Sequence, residues 1–216
     1  MLDKTTRTQI IQLINEQVVP AMGCTEPIAV ALCTARAKEL LQQRPEKIKV
    51  WLSANMLKNA MGVGIPGTGM IGLPIAIALG AIIGKSEYQL EVIKDLTPQA
   101  LEQGKQFIAN PNNICIKLKE NITEKLYIEV TCEAGGNTAT AIIAGSHTHF
   151  VYEARNGEVL LDKRQQTTST DEGHALCLDM KTVREFATTT PLDEIRFMLK
   201  ARDYNIRAAE ESKKGN

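Results

Sequence analysis

The chain has 216 residues, and its 25 Lys and Arg balance 25 Asp and Glu, so it carries no formal net charge. That balance, with aromatics at only 4% and no run interleaving basic and aromatic residues, excludes the charged surface of a nucleic-acid binder. A hydrophobic share of 44% at this length is enough to close a core, which excludes wholesale disorder.

Ile10, Ile11, Leu13, Ile14 and Val18 recur at helical spacing and predict an amphipathic helix over residues 5–18. After a turn at Pro20–Gly23, a second helix begins where Thr25 can cap and Glu26 and Pro27 suit the first turn. It runs to Gln43, short of Pro45. The alternation in Lys47–Leu52 predicts a strand. From Asn59 to Gly84, 26 residues carry no charge, long enough to span a bilayer. Six glycines and prolines between Gly62 and Gly72, with Pro74, break up the first half of that run. Only the eleven residues Leu73–Ile83 are left for an apolar helix, too few to cross. The segment therefore predicts a glycine-rich loop feeding a buried helix, with no membrane contact.

Glu87–Ala109 predicts a surface helix broken near Pro98. The short runs Ile114–Lys119, Lys125–Glu133, Thr138–Ala144, Phe150–Ala154 and Glu158–Asp162 predict strands. Gly135-Gly136-Asn137 and Asn156-Gly157 supply the positive φ angles of tight hairpins, so the sheet should be mostly antiparallel. Lys163–Cys177 is polar and predicts a loop. Helices are expected over Asp179–Thr188 and again from Thr190, with Pro191 in the first turn. Helices at both ends and strands between them predict an α+β fold, taken as one domain over residues 1–216.

The five cysteines, Cys24, Cys33, Cys115, Cys132 and Cys177, are odd in number and include no CxxC pair, unlike a disulfide framework. The N-terminus MLDKTTRTQIIQ has no apolar run or cleavage site. Both features lead to the expectation of a cytoplasmic protein with reduced thiols. Cys33, Cys115 and Cys132 are expected to pack in the core.

Three places offer chemistry. Cys24 directly precedes a helix, where oriented N–H groups favour the thiolate, the form that attacks electrophiles and ligates iron or zinc. Core packing as a small hydrophobe is the alternative. The glycine-rich stretch contains Gly62-x-Gly64-x-x-Gly67, but no strand directly precedes it and Pro66 interrupts it, so no nucleotide cofactor is expected. Its exposed backbone N–H groups instead suit a small carboxylate. Lys58 would add charge, and Asn55, Asn59, Gly67 and Thr68 would add hydrogen bonds or close approach. A packing loop without a ligand is the plain alternative. In Gly145-Ser146-His147-Thr148-His149, His147 is a candidate proton-transfer residue; with His149 and His174 it is also a candidate zinc site.

The segments GCTEPIAVAL, NMLKNAMGVGIPGTGMIGLPIAIALGAIIG and AGSHTHFVYEARNGEV resemble the L-cysteine desulfidases, also called the serine dehydratase-like alpha-chain family. The resemblance runs along essentially the whole chain. It implies an oxygen-sensitive four-iron–four-sulfur lyase, without pyridoxal phosphate, that converts L-cysteine to pyruvate, ammonia and sulfide, or dehydrates L-serine. It also implies that Cys24, the cysteine of GCTEP, is the first of three cluster ligands. By residue chemistry, Lys58 and His147 are the candidate catalytic groups, and Thr25, Glu26, Asn55, Asn59, Gly67 and Thr68 the candidate substrate contacts.

The family's other cluster cysteines lie in a helical half that follows the portion matched here. The expectation is an N-terminal portion, inactive alone, completed by a C-terminal half or a second chain. Its partner is an amino-acid substrate, and homo-oligomers are compatible with it. The alternative is a non-catalytic amino-acid-binding or protein-interaction domain.

Overall fold

Apolar side chains cover every face of helix α2 (Thr25–Leu41), which is buried without a break from Pro27 to Ala35. A helix of that composition is stable only when enclosed on all sides. In the computed structural model, which describes residues 2–164 and 178–214, it is enclosed by a sheet on one side and helix α4 (Leu73–Ile82) on the other.

The six-stranded sheet has the order β4-β1-β5-β6-β7-β8, with β1 Lys47–Leu52, β4 Ile114–Leu118, β5 Tyr127–Ala134, β6 Asn137–Ala144, β7 Phe150–Arg155 and β8 Glu158–Asp162. Only β1 and β4 pair in parallel; every other neighbouring pair is antiparallel. The predicted α+β class and mostly antiparallel sheet are what the structure has. Gly135 and Gly136, and Asn156 and Gly157, take positive φ at the two hairpin turns, as the sequence requires.

Strand alternation sets the two faces of the sheet. Ile48, Val50, Leu52, Ile128, Val130, Cys132, Ala139, Ala141 and Ile143 are buried on the side of α2. The opposite face carries polar pairs, Lys49 with Glu133, Lys119 with Glu129, and Thr131 with Thr140 across neighbouring strands, beside Trp51 and Ile142. On β7 the pattern admits one buried charge, Glu153, held by a two-pronged contact from Arg36 of α2 at 2.8 and 2.6 Å. The fork leaves neither carboxylate oxygen unpaired.

Helix α4 is buried along nearly its whole length and packs on α2 and on α5 (Pro98–Ala109). Its approach to α2 is set by Gly80, where an added Cβ would run into the carbonyl of Ala31.

The sequence missed two short elements inside the glycine-rich stretch. Helix α3 (Ala54–Ala60) is capped by Ser53, and a ribbon forms between β2 (Gly64–Ile65) and β3 (Met70–Ile71). The long surface helix expected over Glu87–Ala109 is also cut down. Ser86–Glu91 is a 3₁₀ turn kinked at Gln89, and α5 begins afresh at Pro98 behind the Thr97 cap. Proline at the first helical position disfavours helix in the residue before it. Cys115, expected in the core, is exposed, because it lies on the outward register of edge strand β4. Cys33 and Cys132 are buried as expected.

The contacts divide the chain into two compact units, and the elements above belong to the one spanning Ala21–Thr167. The other joins α1 (Lys4–Gln17) to α6 (Met180–Thr189), α7 (Leu192–Ile195) and α8 (Leu199–Lys213). Within it Arg7 grips Glu194 through two hydrogen bonds, and Ile10 and Phe186 are buried. The predicted loop Lys163–Cys177 lies, beyond Arg164, outside the described residues, as do His174 and Cys177. Among the described residues no helix is long and apolar enough to cross a membrane.

Replacing Gly80 tests the α2–α4 crossing. Gly80→Ala is expected to cost about 1–3 kcal/mol, seen as a lower urea midpoint at unchanged slope. An unchanged midpoint would show that the crossing accommodates a methyl group.

Candidate active site

The buried body of α2 fixes its first turn in place, and that turn carries Cys24, Thr25 and Glu26. Cys24 is the N-cap residue but its side chain caps no backbone group. It points to Glu26 instead, donating its S–H to Oε2 at 3.0 Å. Thr25 Oγ1 lies 3.4 Å from the same oxygen, and Asn59 of α3 donates to Oε1 at 3.3 Å. From the turn between β6 and β7, His147 brings Nε2 to 3.3 Å from Thr25 Oγ1. Five residues singled out in the sequence, Cys24, Thr25, Glu26, Asn59 and His147, thus meet around one carboxylate.

The electrostatics reverse the expectation for Cys24. A helix N-terminus favours thiolate. Here the thiol is pushed above its ordinary value, first by its hydrogen bond to Glu26 and then by burial. Glu26 is held below the usual carboxylate value, first by the Cys24 S–H, with the Asn59 amide and the nearby His147 adding to it. At neutral pH the pair is therefore a thiol and a carboxylate.

The other candidates stand elsewhere. Asn55 lines a cavity of about 500 Å³ with the β4–β5 connection. Lys58 is exposed on α3 and makes no ion pair among the described residues. Thr68 is buried, and its hydroxyl is taken up by its own turn, donating to the Ile65 carbonyl at 2.6 Å and accepting from the Met70 N–H at 3.0 Å. Gly67 lines an apolar cavity of about 320 Å³ with Met22, Pro66 and Leu96. Of the zinc candidates, His149 Nδ1 lies 3.2 Å from the Ala144 carbonyl, and His174 lies outside the described residues.

One contact escaped the sequence. Pro66, at the tip of the glycine-rich stretch, sits so close to Gly23 that a Cβ there would come within 2.8 Å of its ring. The glycine stretch thereby buttresses the residue that precedes Cys24. The signal present was a glycine immediately before the cysteine, but nothing in the sequence pointed from it to Pro66.

The described residues do not by themselves fit a four-iron–four-sulfur cluster. Cys33 and Cys132 are sealed in the core, their thiols raised by burial, that of Cys132 to about 12. Cys115 lies on the edge strand. No group of three His, Cys, Asp or Glu among the described residues stands together in metal-binding geometry. Cys24 offers one thiol and no more.

Comparison with known proteins gives relatives without an activity in their names. The chain is 64% identical over 216 residues to a UPF0597 protein of Phocaeicola vulgatus and 63% identical over 215 residues to one of Bacteroides fragilis. A UPF0597 protein of Aeromonas hydrophila is 38% identical over 215 residues. These matches take in 98–100% of this chain but only 48–50% of each relative. The chain thus spans about half the length of the curated relatives it matches. No family model matches the chain, and no solved structure matches it.

The Cys24–Glu26 pair is testable by alkylation. Glu26→Gln removes the negative charge that opposes the thiolate, so the Cys24 pKa falls. Alkylation by iodoacetamide at pH 8 should then speed up several-fold, because the rate follows the thiolate fraction. An unchanged rate at Cys24, followed by peptide mass spectrometry, would show that Glu26 does not control the thiol.

Proposed function

We propose that this chain is the N-terminal portion of a β-eliminating lyase acting on L-cysteine, or on L-serine in the closely related dehydratase reaction. The observation that carries this is the convergence, from α2, α3 and the β6–β7 turn, of a thiol, an ionised carboxylate, an amide and an imidazole. A small amino acid needs such a set: a base for the proton α to its carboxylate, and fixed polar groups to orient it. The three resembling segments supply these same residues and name the substrate class. Cys24 is proposed as one ligand of an iron–sulfur cluster whose remaining ligands come from outside this chain. Such a cluster, completed from outside this chain, would supply Lewis-acid chemistry toward the departing thiolate or hydroxide. A cytoplasmic setting goes with this proposal, since four described cysteines are free thiols and such a cluster is sensitive to oxygen.

A second reading, a non-catalytic amino-acid-binding domain, is favoured by one observation. The Cys24 thiol is engaged by Glu26 and has no other thiol beside it among the described residues.

The two separate in one experiment. A chimera joins this chain to the remaining half of the Bacteroides fragilis relative and is assembled without oxygen with iron and sulfide. It should release pyruvate from L-cysteine or L-serine, and Cys24→Ala should lose both cluster absorbance and turnover. Cluster content unchanged in Cys24→Ala would remove the ligand role. Thermal stabilisation of the 216-residue chain by either amino acid, with no pyruvate from the chimera, would favour the binding domain.

A further inference from the structure

We infer that helices α6, α7 and α8 form a docking face, and that its occupant is the half of the relatives' length that this chain does not match. The inference rests on packing and on that length, and it holds whether or not the candidate site eliminates anything.

The two units are packed to very different degrees. The one spanning Ala21–Thr167 closes its own core, with Ile28, Leu32, Ile77 and Ile128 fully enclosed. In the other, α1 buries Ile10 and α6 buries Phe186, while α7 and α8 bury none of their residues. Helix α6 is ten residues long, α7 four and α8 fifteen. Isolated helices shorter than about 12–15 residues are marginal in water, and in proteins most helical stability comes from covering an apolar face. Among the described residues, that cover is missing from α7 and α8 and slight on α6.

The uncovered face is apolar. Met180 and Leu192 are 83% and 78% exposed, and Val183, Leu199, Tyr204 and Ile206 are each about half exposed. Met180 and Val183 stand one turn apart on α6, and Leu199 and Ile206 two turns apart on α8, so each pair lies along one stripe of its helix. Beside Met180 a hollow of about 680 Å³ is lined by residues of α6 alone among those described, a groove without an opposing wall. One exposed leucine needs no explanation; six large apolar side chains on three consecutive helices do.

Length points to the occupant. The matched portion is 48–50% of each relative, so the relatives carry about as many residues again. In a chain that carries both parts, the second part stays beside the face at an effective concentration on the order of millimolar. A second copy free in solution would have to reach a comparable concentration to displace it.

Met180 is a built-in reporter, because peroxide converts an accessible methionine to its sulfoxide. Met56, 1% exposed in the core, marks a folded chain in every sample. In the 216-residue chain Met180 should oxidise near the rate of the urea-unfolded chain. In the chimera with the remaining half of the Bacteroides fragilis relative it should oxidise more than about threefold more slowly. Val183→Glu with Leu192→Glu puts charge on the face while keeping a good helix former at both positions, and should return Met180 of the chimera to the free-chain rate. A difference smaller than about threefold, or slow oxidation already in the 216-residue chain, overturns the docking face. So does a double variant that leaves Met180 protected. Protection that fades on dilution, as light scattering shows the chimera passing from dimer to monomer, makes a second copy the occupant and overturns the assignment. If Met56 oxidises in the chimera, the two halves are mixed as separately folded chains and read by the same criteria. Pyruvate plays no part in the readout, so failure of the eliminating function leaves the result untouched.

Discussion

Everything at the candidate site depends on the burial of α2. A helix covered by a sheet on one side and by α4 on the other cannot rotate or slide without exposing Ile28, Val30, Leu32 and their neighbours. Each such side chain contributes roughly 1.5–3 kcal/mol when fully buried. The N-terminus of that helix is consequently a fixed point, and Cys24, Thr25 and Glu26 inherit its rigidity. Gly80 allows the close crossing with α4, and the Arg36–Glu153 fork ties the helix to β7. The rigidity is paid for by packing well away from the chemistry.

At the fixed point, two electrostatic effects compete for Cys24. The helix macrodipole contributes about 0.3–1 kcal/mol toward a thiolate, spread over the first turn. A direct hydrogen bond to a charged group is worth about 1.5–3 kcal/mol, and here it favours the thiol. The local contact wins over the distributed field. Glu26 is the hub for that reason: Cys24 and Thr25 share one of its oxygens, Asn59 takes the other, and His147 is reached through Thr25. The arrangement holds a carboxylate ionised and in place, with an imidazole beside it.

Packing separates Cys33 and Cys132 from Cys24. Cys33 and Cys132 behave as small core hydrophobes, and burial raises both thiols. Cys24 is exposed and hydrogen-bonded.

Local order was legible in the sequence wherever the governing physics was local. Glu26 and Pro27 marked the first turn of α2, although Cys24 and not the expected Thr25 holds the cap position; alternation gave β1 its bounds, and Asn156-Gly157 marked its hairpin, because each depends on neighbours along the chain. The residue types at the site were also legible, since Cys24, Glu26, Asn59 and His147 stood out by chemistry alone. What could not be read was adjacency. Thr25 and His147 are 122 positions apart and meet only because α2 and the β6–β7 turn are both held by the sheet. Cys115 could not be told from Cys132 because strand alternation does not say which strand is the edge. Thr68 and Asn59 looked equally suited to a ligand, yet the backbone of its own turn took up the Thr68 hydroxyl while Asn59 was turned to Glu26. The sequence by itself determined which groups this protein possesses and the elements that carry them. The tertiary structure decided which of those groups share a hydrogen bond, and so that Cys24 is held as a thiol and Glu26 as a carboxylate, because protonation answers to the nearest partner rather than to position in the chain.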